Sequence, residues 1–162
     1  MVNRPMGEET VNIFGDDWDE SMARERPGWQ WKRMPVGRRL GAEQIGASVY
    51  ELAPGQKSFP YHWQVLEEEW LIVIRGEPTL RDPSGERKLS PGDCVVFKRG
   101  PEGAHTLRND TDEPVRLLML SAESPTGEVA FYPDSGKVGI FGPDLRKFLR
   151  LDAEIDYFEG EE

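Results

Sequence analysis

The chain has 162 residues, 37% hydrophobic and 31% charged, which is typical of one folded domain rather than of a disordered or fibrous chain. Its formal charge of -10 argues against a nucleic-acid partner, because phosphate binding needs a basic face. No apolar run approaches the roughly 20 residues of a bilayer span, so we expect no membrane association. A single cysteine, Cys94, and an N-terminus without an apolar leader indicate the cytoplasm.

The first zone, residues 1–40, has no sustained hydrophobic period. It contains three of the five tryptophans, Trp18, Trp29 and Trp31, among Pro, Gly and Arg residues. Tryptophan side chains are costly to leave in water. We therefore expect this zone to be an arm that packs on the main body or on a second subunit.

The second zone, residues 41–141, has the pattern of an all-β domain. Short apolar or β-forming runs alternate with turn dipeptides such as Pro54-Gly55 and Pro91-Gly92, at intervals near ten residues. This spacing predicts an antiparallel sandwich or barrel. The predicted strands carry the runs IGASVYEL, EEWLIVI, EPTLR, DCVVF, AHTLRN, PVRLLML, EVAFY and KVGIF.

The third zone, residues 142–162, begins with Pro143-Asp144, which is typical of a helix start, so we expect a short helical turn there. The last twelve residues hold six acids and no base, which indicates a solvated acidic tail.

Two predicted strands, 70–74 and 117–120, are apolar at both alternating positions and should be covered on both faces. The cover must come from the arm, from the C-terminal turn or from a second copy of the chain. We expect a homodimer built on the outer sheet face and the arm; the alternative is that the arm covers its own barrel.

The candidate functional residues centre on the only two histidines of the chain, His62 and His105. Residues two apart on a strand share a face, so Gln64 would project with His62, and a neighbouring strand could add a carboxylate. Composition alone leaves open that the two histidines are unrelated.

The two histidines fall in two spaced motifs, the second of which follows a Pro-Gly-Asp turn. The motif positions are Gly55, His62, Gln64, Glu69 and Gly76, then Pro91-Gly92-Asp93, His105 and Asn109. This spacing resembles the cupin superfamily over roughly residues 45–121. The resemblance implies a small single-domain antiparallel jelly-roll barrel with the site inside it. It places metal ligands on His62, Glu69 and His105. Glu69 is chosen over Glu67 and Glu68 because it stands seven positions before Gly76 and opens a strand, whereas those two fall in a solvated turn.

Two departures from the family pattern bear on function. Gln64 occupies the position of a usual histidine, and residues 101–104 lengthen the loop before His105. Two histidines and one carboxylate suit non-haem iron, and an amide oxygen from Gln64 is a harder fourth ligand. Fe²⁺ or Mn²⁺ is therefore favoured, with Zn²⁺ or Ni²⁺ as alternatives, although Gln64 also fits a site that has lost its metal.

The resemblance does not select one function, because cupins include enzymes and binding proteins. We expect an apolar pocket lined by Leu71, Val73 and Leu107 that takes a small, anionic organic molecule. Arg75, in line with Glu69 on the strand, either reaches that anion or is solvated. Dioxygenase-like and isomerase-like chemistry remain open, as does a non-catalytic module that binds a sugar or small acid. No catalytic residue is assigned.

Overall fold

The computed structural model of the chain describes residues 9–22 and 27–161. Within this part of the chain the main elements are thirteen β-strands, one helix of five residues and two 3₁₀ turns. The strands are β1 (Glu20–Met22), β2 (Trp31–Met34), β3 (Ile45–Leu52), β4 (Trp63–Gln64), β5 (Glu69–Arg75), β6 (Thr79–Asp82), β7 (Gly85–Lys88), β8 (Cys94–Phe97), β9 (Thr106–Arg108), β10 (Val115–Ala122), β11 (Glu128–Tyr132), β12 (Lys137–Gly142) and β13 (Leu145–Arg150). The helix α1 spans Val36–Leu40, and the 3₁₀ turns span Pro101–Gly103 and Pro133–Ser135.

The strands form three antiparallel sheets. Six strands make one sheet in the order β1-β2-β3-β10-β5-β8, four make a second in the order β13-β12-β11-β4, and three make a third in the order β7-β6-β9. The predicted all-β jelly-roll architecture is confirmed. None of the helices in the described residues has the length and apolar character that a bilayer crossing requires.

Strand β10 lies at the centre of the six-stranded sheet, and its two faces contribute to two apolar clusters. Leu117 and Val115 point into the barrel, where they pack in the main core with Leu71 and Val73. Leu118 points outward to the second cluster. A strand that is apolar on both faces is thus covered on both, as its sequence predicts.

The outer cluster is covered in part by the N-terminal region. Met34 and Val36 are buried against Val49 of β3, with Ile13 and Trp18 packed around them. Strand β2 pairs with β3, so residues 31–34, which fall in the predicted arm, extend the sheet itself.

An ion-pair network also holds the N-terminal region on this outer face. The Arg116 guanidinium donates to Glu51 Oε2 at 2.7 Å, to Asp16 Oδ1 at 2.6 Å and to the Gly15 carbonyl at 3.0 Å. Arg116 is 4% exposed, and its guanidinium lies 4.7 Å from the centroid of the Trp18 ring. Such a buried charge is tolerated because it is paired and hydrogen-bonded.

The predicted C-terminal helical turn is wrong. Residues 145–150 form strand β13, which pairs with β12 from Gly142↔Leu145 to Lys137↔Arg150. Only Pro143 and Asp144 separate the last paired residues, so this dipeptide makes a two-residue hairpin turn rather than a helix start. Strand β12 supplies an edge with backbone groups to be paired, and this decides the conformation of the segment.

Candidate metal centre

The backbone brings the two histidines side by side. His62 lies just before β4 and His105 follows the Pro101–Gly103 turn. Together they form an isolated antiparallel bridge. The amide of His105 donates to the His62 carbonyl at 2.9 Å, and the reverse hydrogen bond is 3.2 Å. Glu69 approaches from the six-stranded sheet, where it is the first residue of β5.

The side chains of His62, Glu69 and His105 converge on one point. One ligand atom from each lies within 4.8 Å of the others. Glu69 Oε2 is 3.4 Å from His105 Nε2 and 3.9 Å from His62 Nε2. The three residues that the sequence singled out are therefore brought together.

Backbone carbonyls fix which nitrogen of each ring faces the centre. His62 Nδ1 lies 2.9 Å from the Pro60 carbonyl, and His105 Nδ1 lies 2.9 Å from the Gly103 carbonyl. A carbonyl only accepts hydrogen bonds, so each Nδ1 carries the proton and donates it. The Nε2 lone pairs are left facing Glu69, which is the arrangement that metal-binding histidines use.

Aromatic rings hold the two imidazoles in place. The Phe97 ring is stacked on His105 with a centroid distance of 3.6 Å and an interplanar angle of 5°. The Tyr132 ring lies against His62 at 5.7 Å and 19°. This packing limits rotation of both rings, so the direction of each Nε2 lone pair is preorganised.

Burial governs the ionisation of the three groups. It lowers the pKa of His62, and burial together with the neighbouring His62 lowers the pKa of His105 to about 3. Burial, with a smaller contribution from Glu67, raises the pKa of Glu69 to about 7 against the opposing hydrogen bond from Gln64. Both imidazoles are therefore neutral at physiological pH, and the carboxylate has no cation beside it to offset its burial.

Three polar atoms of this cluster are buried without a hydrogen-bond partner: Glu69 Oε2, His105 Nε2 and Gln64 Oε1. Buried polar atoms normally have partners, because a lone one costs about 1–3 kcal/mol. With Glu69 ionised and both imidazoles neutral, none of the three atoms has a proton to give, so in that state they cannot satisfy one another. Two imidazole nitrogens, a carboxylate oxygen and an amide oxygen fit a divalent cation.

Gln64 lies in β4, which pairs with β11 at Gln64↔Ala130. The Gly100 amide donates to the Gln64 carbonyl at 2.8 Å, so the longer loop before His105 is fastened to the strand that carries Gln64. The two departures from the family pattern thus lie in contact with each other.

Glu67 differs from the expectation, whereas Arg75 takes the solvated one of its two alternatives. Glu67 is not solvated: it accepts the Ser124 amide at 3.0 Å, and burial raises its pKa. Arg75 does not face the pocket, because the register of β5 against β10 shifts between Arg116 and Leu117 and places Arg75 opposite Arg116 on the outer face. Its guanidinium lies 3.7 Å from Glu51. A bulge changes which face the following residue occupies.

A cavity of about 810 Å³ opens beside Glu69. Its wall includes inward-facing residues of β2, β3 and β10, among them Arg33, Ser48, Met119 and Ser121. Sequence reasoning missed Arg33, because it fell in the zone expected to be an arm. The stacking of Phe97 and the carbonyl of Gly103 were also missed, since neither has a sequence signature.

Comparison with known proteins places the chain among proteins of this architecture. The cupin domain family model matches residues 48–121. A putative sugar phosphate isomerase from Acidithiobacillus ferrooxidans is 25% identical with a TM-score of 0.74, over 80% of this chain and 82% of that one. A Silicibacter pomeroyi protein described as a sugar phosphate isomerase of the cupin superfamily is 29% identical, with a TM-score of 0.73 and the same two coverages. A Thermus thermophilus protein is 27% identical with a TM-score of 0.52, over 64% of this chain and 91% of that one. No curated protein matches the sequence. Residues 48–121 thus match the cupin domain family, and the two structures that cover 80% of this chain share its fold.

Proposed function

We propose that the chain is a metal-dependent enzyme that isomerises a small phosphorylated sugar. His62, Glu69 and His105 would hold Fe²⁺ or Mn²⁺, with the Gln64 amide oxygen as a fourth donor. The observation that carries the proposal is the convergence of three buried, partnerless atoms, Glu69 Oε2, His105 Nε2 and Gln64 Oε1.

The donor set favours these ions on chemical grounds. Oxygen donors from Glu69 and Gln64 suit Fe²⁺ and Mn²⁺ better than copper, whereas Zn²⁺ and Ni²⁺ remain compatible with the two imidazoles. When bound, a divalent ion polarises a substrate oxygen as a Lewis acid. With one carboxylate among its ligands the centre has a net charge near +1, which favours an anionic substrate in this acidic protein.

The chain's own residues orient the site and keep water from it. The carbonyls of Pro60 and Gly103 hold both histidines in the tautomer that presents Nε2. Leu71, Val73 and Leu107 are each no more than 1% exposed in the main apolar core, and none of them lines the cavity beside Glu69, contrary to expectation. The close-packed core excludes bulk water from the interior of the barrel and strengthens electrostatic interactions there.

The choice of isomerisation over dioxygenation rests on the relatives. The two structures that cover 80% of this chain are described as sugar phosphate isomerases, one of them as putative. Their identities of 25% and 29% support a shared substrate class for this chain. A phosphorylated sugar also meets the expectation of a small anionic molecule.

A second candidate, a non-catalytic sugar-binding module, is favoured by the engagement of the neighbouring acids. Glu67 accepts the Ser124 amide, and Glu128 accepts the amides of Val65 and Leu66. Acids that are committed to backbone amides are poor proton carriers. A module of this kind would use the same pocket to bind its ligand without turnover.

Proton NMR in D₂O separates the two functions. Protein loaded anaerobically with Mn²⁺ or Fe²⁺ is incubated with a panel of aldose phosphates, and His105→Gln serves as the site variant. We expect interconversion of aldose and ketose, with deuterium entering at C2 or C1, in the wild type and its loss in the variant. Binding without conversion across the panel would favour the binding module.

A further inference from the structure

The cavity beside Glu69 has a polar wall that the metal centre does not use. We name it the β2–β5 cavity, after the strands that carry its inner wall: Arg33 on β2, Ser48 on β3, Ser121 on β10 and Glu69 on β5. In the register of the sheet Glu69 stands opposite Ser121, and Ser48 stands opposite Met119. These side chains therefore project into the barrel from adjoining rows of one continuous sheet face.

Arg33 is the cation that faces this cavity from the inner side of the sheet. Its Nε donates to Ser48 Oγ at 3.0 Å, and its guanidinium lies 5.9 Å from the centroid of the Tyr50 ring. The hydroxyl and the ring position the guanidinium. A guanidinium has five N–H donors, so it can hold an oxyanion in addition to its partners within the chain.

Two other arginines line the cavity, but they come from the helix α1 rather than from the sheet. Arg38 lies 3.2 Å from Asp19, and Arg39 is paired with both Asp17 and Asp19, so both side chains are directed toward the N-terminal region and away from the sheet face that carries Glu69. Arg33 shares the sheet face with Ser48 and Glu69. An anion subsite beside the metal centre therefore depends on Arg33.

The opposite part of the wall suits hydroxyl groups. The absence of a side chain at Gly46 lets Ser121 Oγ and Glu123 lie against the backbone, because a Cβ atom there would overlap Ser121 Oγ and lie 2.8 Å from Glu123 Oε1. Glu123 also lines the cavity. Its carboxylate accepts hydrogen bonds from hydroxyls and repels a second carboxylate, so this wall favours a polyol over a dicarboxylate.

The distance between Ser48 and Glu69 suits the length of a small phosphorylated sugar. Ser48 is level with Leu71 on β5, two strand spacings away, and Glu69 lies two residues further along β5, so the backbone positions of Ser48 and Glu69 are about 12 Å apart. A short sugar chain with a terminal phosphate spans that distance, with its phosphate at Arg33 and its other end at the metal centre.

We infer that the β2–β5 cavity is a phosphate subsite, in which Arg33 and the Ser48 hydroxyl bind the phosphate monoester of a sugar whose reacting end faces Glu69. The inference rests on the proposed function for the identity of that reacting end. It assigns Arg33 a binding role and leaves proton transfer to other groups.

Calorimetric titration tests the subsite. The probes are ribose 5-phosphate and glucose 6-phosphate, with ribose and glucose as their uncharged counterparts, titrated into full-length protein both loaded with Mn²⁺ and treated with EDTA. The variant is Arg33→Gln. Arg87→Gln is the control, because Arg87 lies on β7 in the three-stranded sheet and its loss changes the net charge equally.

We expect at least one phosphorylated probe to bind about tenfold more weakly to Arg33→Gln than to the wild type, because a charge-assisted hydrogen bond is lost. The control should bind like the wild type, and the uncharged sugars should not distinguish the proteins. If Arg33→Gln does not fold, Arg33→Lys is used instead, because lysine keeps the charge but lacks the planar guanidinium with its paired donors. We expect Arg33→Lys to bind the phosphorylated probe about threefold or more weakly than the wild type.

The inference is overturned if neither phosphorylated probe binds the wild type at millimolar concentration, or if the Arg33 variants that fold bind them as the wild type does. The two proposals fail separately. Arg33-dependent binding by EDTA-treated protein that takes up no metal would sustain the subsite and contradict the metal centre. Metal uptake with binding that does not depend on Arg33 would sustain the metal centre and contradict the subsite.

Discussion

Gly103 offers a sharp test of how the loop before His105 supports the site. The residue is buried in the Pro101–Gly103 turn, and its carbonyl accepts the proton of His105 Nδ1 at 2.9 Å. A Cβ atom at this position would overlap the Lys98 carbonyl oxygen and lie 2.7 Å from the Lys98 carbonyl carbon. These are backbone atoms, so Gly103→Ala must displace the turn by about 1 Å, an overpacking strain that typically costs about 1–3 kcal/mol.

The displacement should also reach the metal centre. Metal–ligand distances tolerate only about 0.2 Å, and loss of a hydrogen bond that orients a ligand typically costs about 10–100-fold in metal affinity. We therefore expect Gly103→Ala to lower the free energy of unfolding of metal-free protein by about 3 kcal/mol. Its Mn²⁺ affinity should fall by at least about tenfold.

Urea unfolding and a competition titration with a metal chelator measure the two effects. Gly136→Ala is the matched control, because Gly136 has φ 56° with no heavy atom near its added Cβ. The control should lose about 1 kcal/mol through backbone strain and keep its metal affinity. The reasoning is refuted if Gly103→Ala is as stable as Gly136→Ala and binds Mn²⁺ like the wild type.

Three further predictions concern the rest of the molecule. Burial opposes ionisation of Glu51, yet hydrogen bonds from Arg116 and Lys32 outweigh it and hold the pKa of this carboxyl below its usual range. Glu51→Gln should therefore lower the free energy of unfolding by about 3 kcal/mol at pH 7. This difference from the wild type should be complete above a pH of about 4.3 and should disappear as the pH falls through the lowered pKa, which urea unfolding between pH 3 and 7 measures. Gln64→Ala should weaken Mn²⁺ binding because it removes an oxygen donor, and it should raise the pKa of Glu69 further because the hydrogen bond from Gln64 opposes the effect of burial. A chelator competition titration that gives the wild-type Mn²⁺ affinity for this variant would contradict the prediction. The homodimer stays a prediction, which rests on Trp70 and Val96: they stand opposite each other on the outer sheet face and are 45% and 40% exposed. Light scattering should give the mass of two chains for the wild type and of one chain for Trp70→Lys. A wild-type mass of one chain would contradict the prediction.

The sequence predicts strands well where local pattern and turn chemistry agree. The run IGASVYEL coincides with β3, and EVAFY coincides with β11. It predicts poorly where a pairing partner decides the conformation. Pro143-Asp144 is compatible with a helix start and with a hairpin turn, and only the edge of β12 selects the hairpin. Strand β2 is likewise fixed by its pairing with β3 rather than by a pattern of its own.

The candidate site shows the same division. Motif spacing was sufficient to predict that His62, Glu69 and His105 meet, because the spacing reflects strand lengths and turns that recur in the family. The side of the sheet that Arg75 occupies depends on a register shift between β5 and β10. The inward position of Arg33 depends on how β2 joins the sheet. Both are consequences of tertiary pairing, which the order of residues alone does not display.

The central claim is that His62, Glu69 and His105 hold a divalent metal, and elemental analysis of the purified protein tests it most directly. The measurement is made first without added metal and again after anaerobic loading with Fe²⁺ or Mn²⁺ and removal of excess. Glu69→Gln, which keeps the shape of the side chain and removes its charge, is measured in parallel. The account predicts about one ion per chain in the loaded wild type and a small fraction of that in the variant. Substoichiometric metal in the wild type after loading, or equal metal in both proteins, would contradict it.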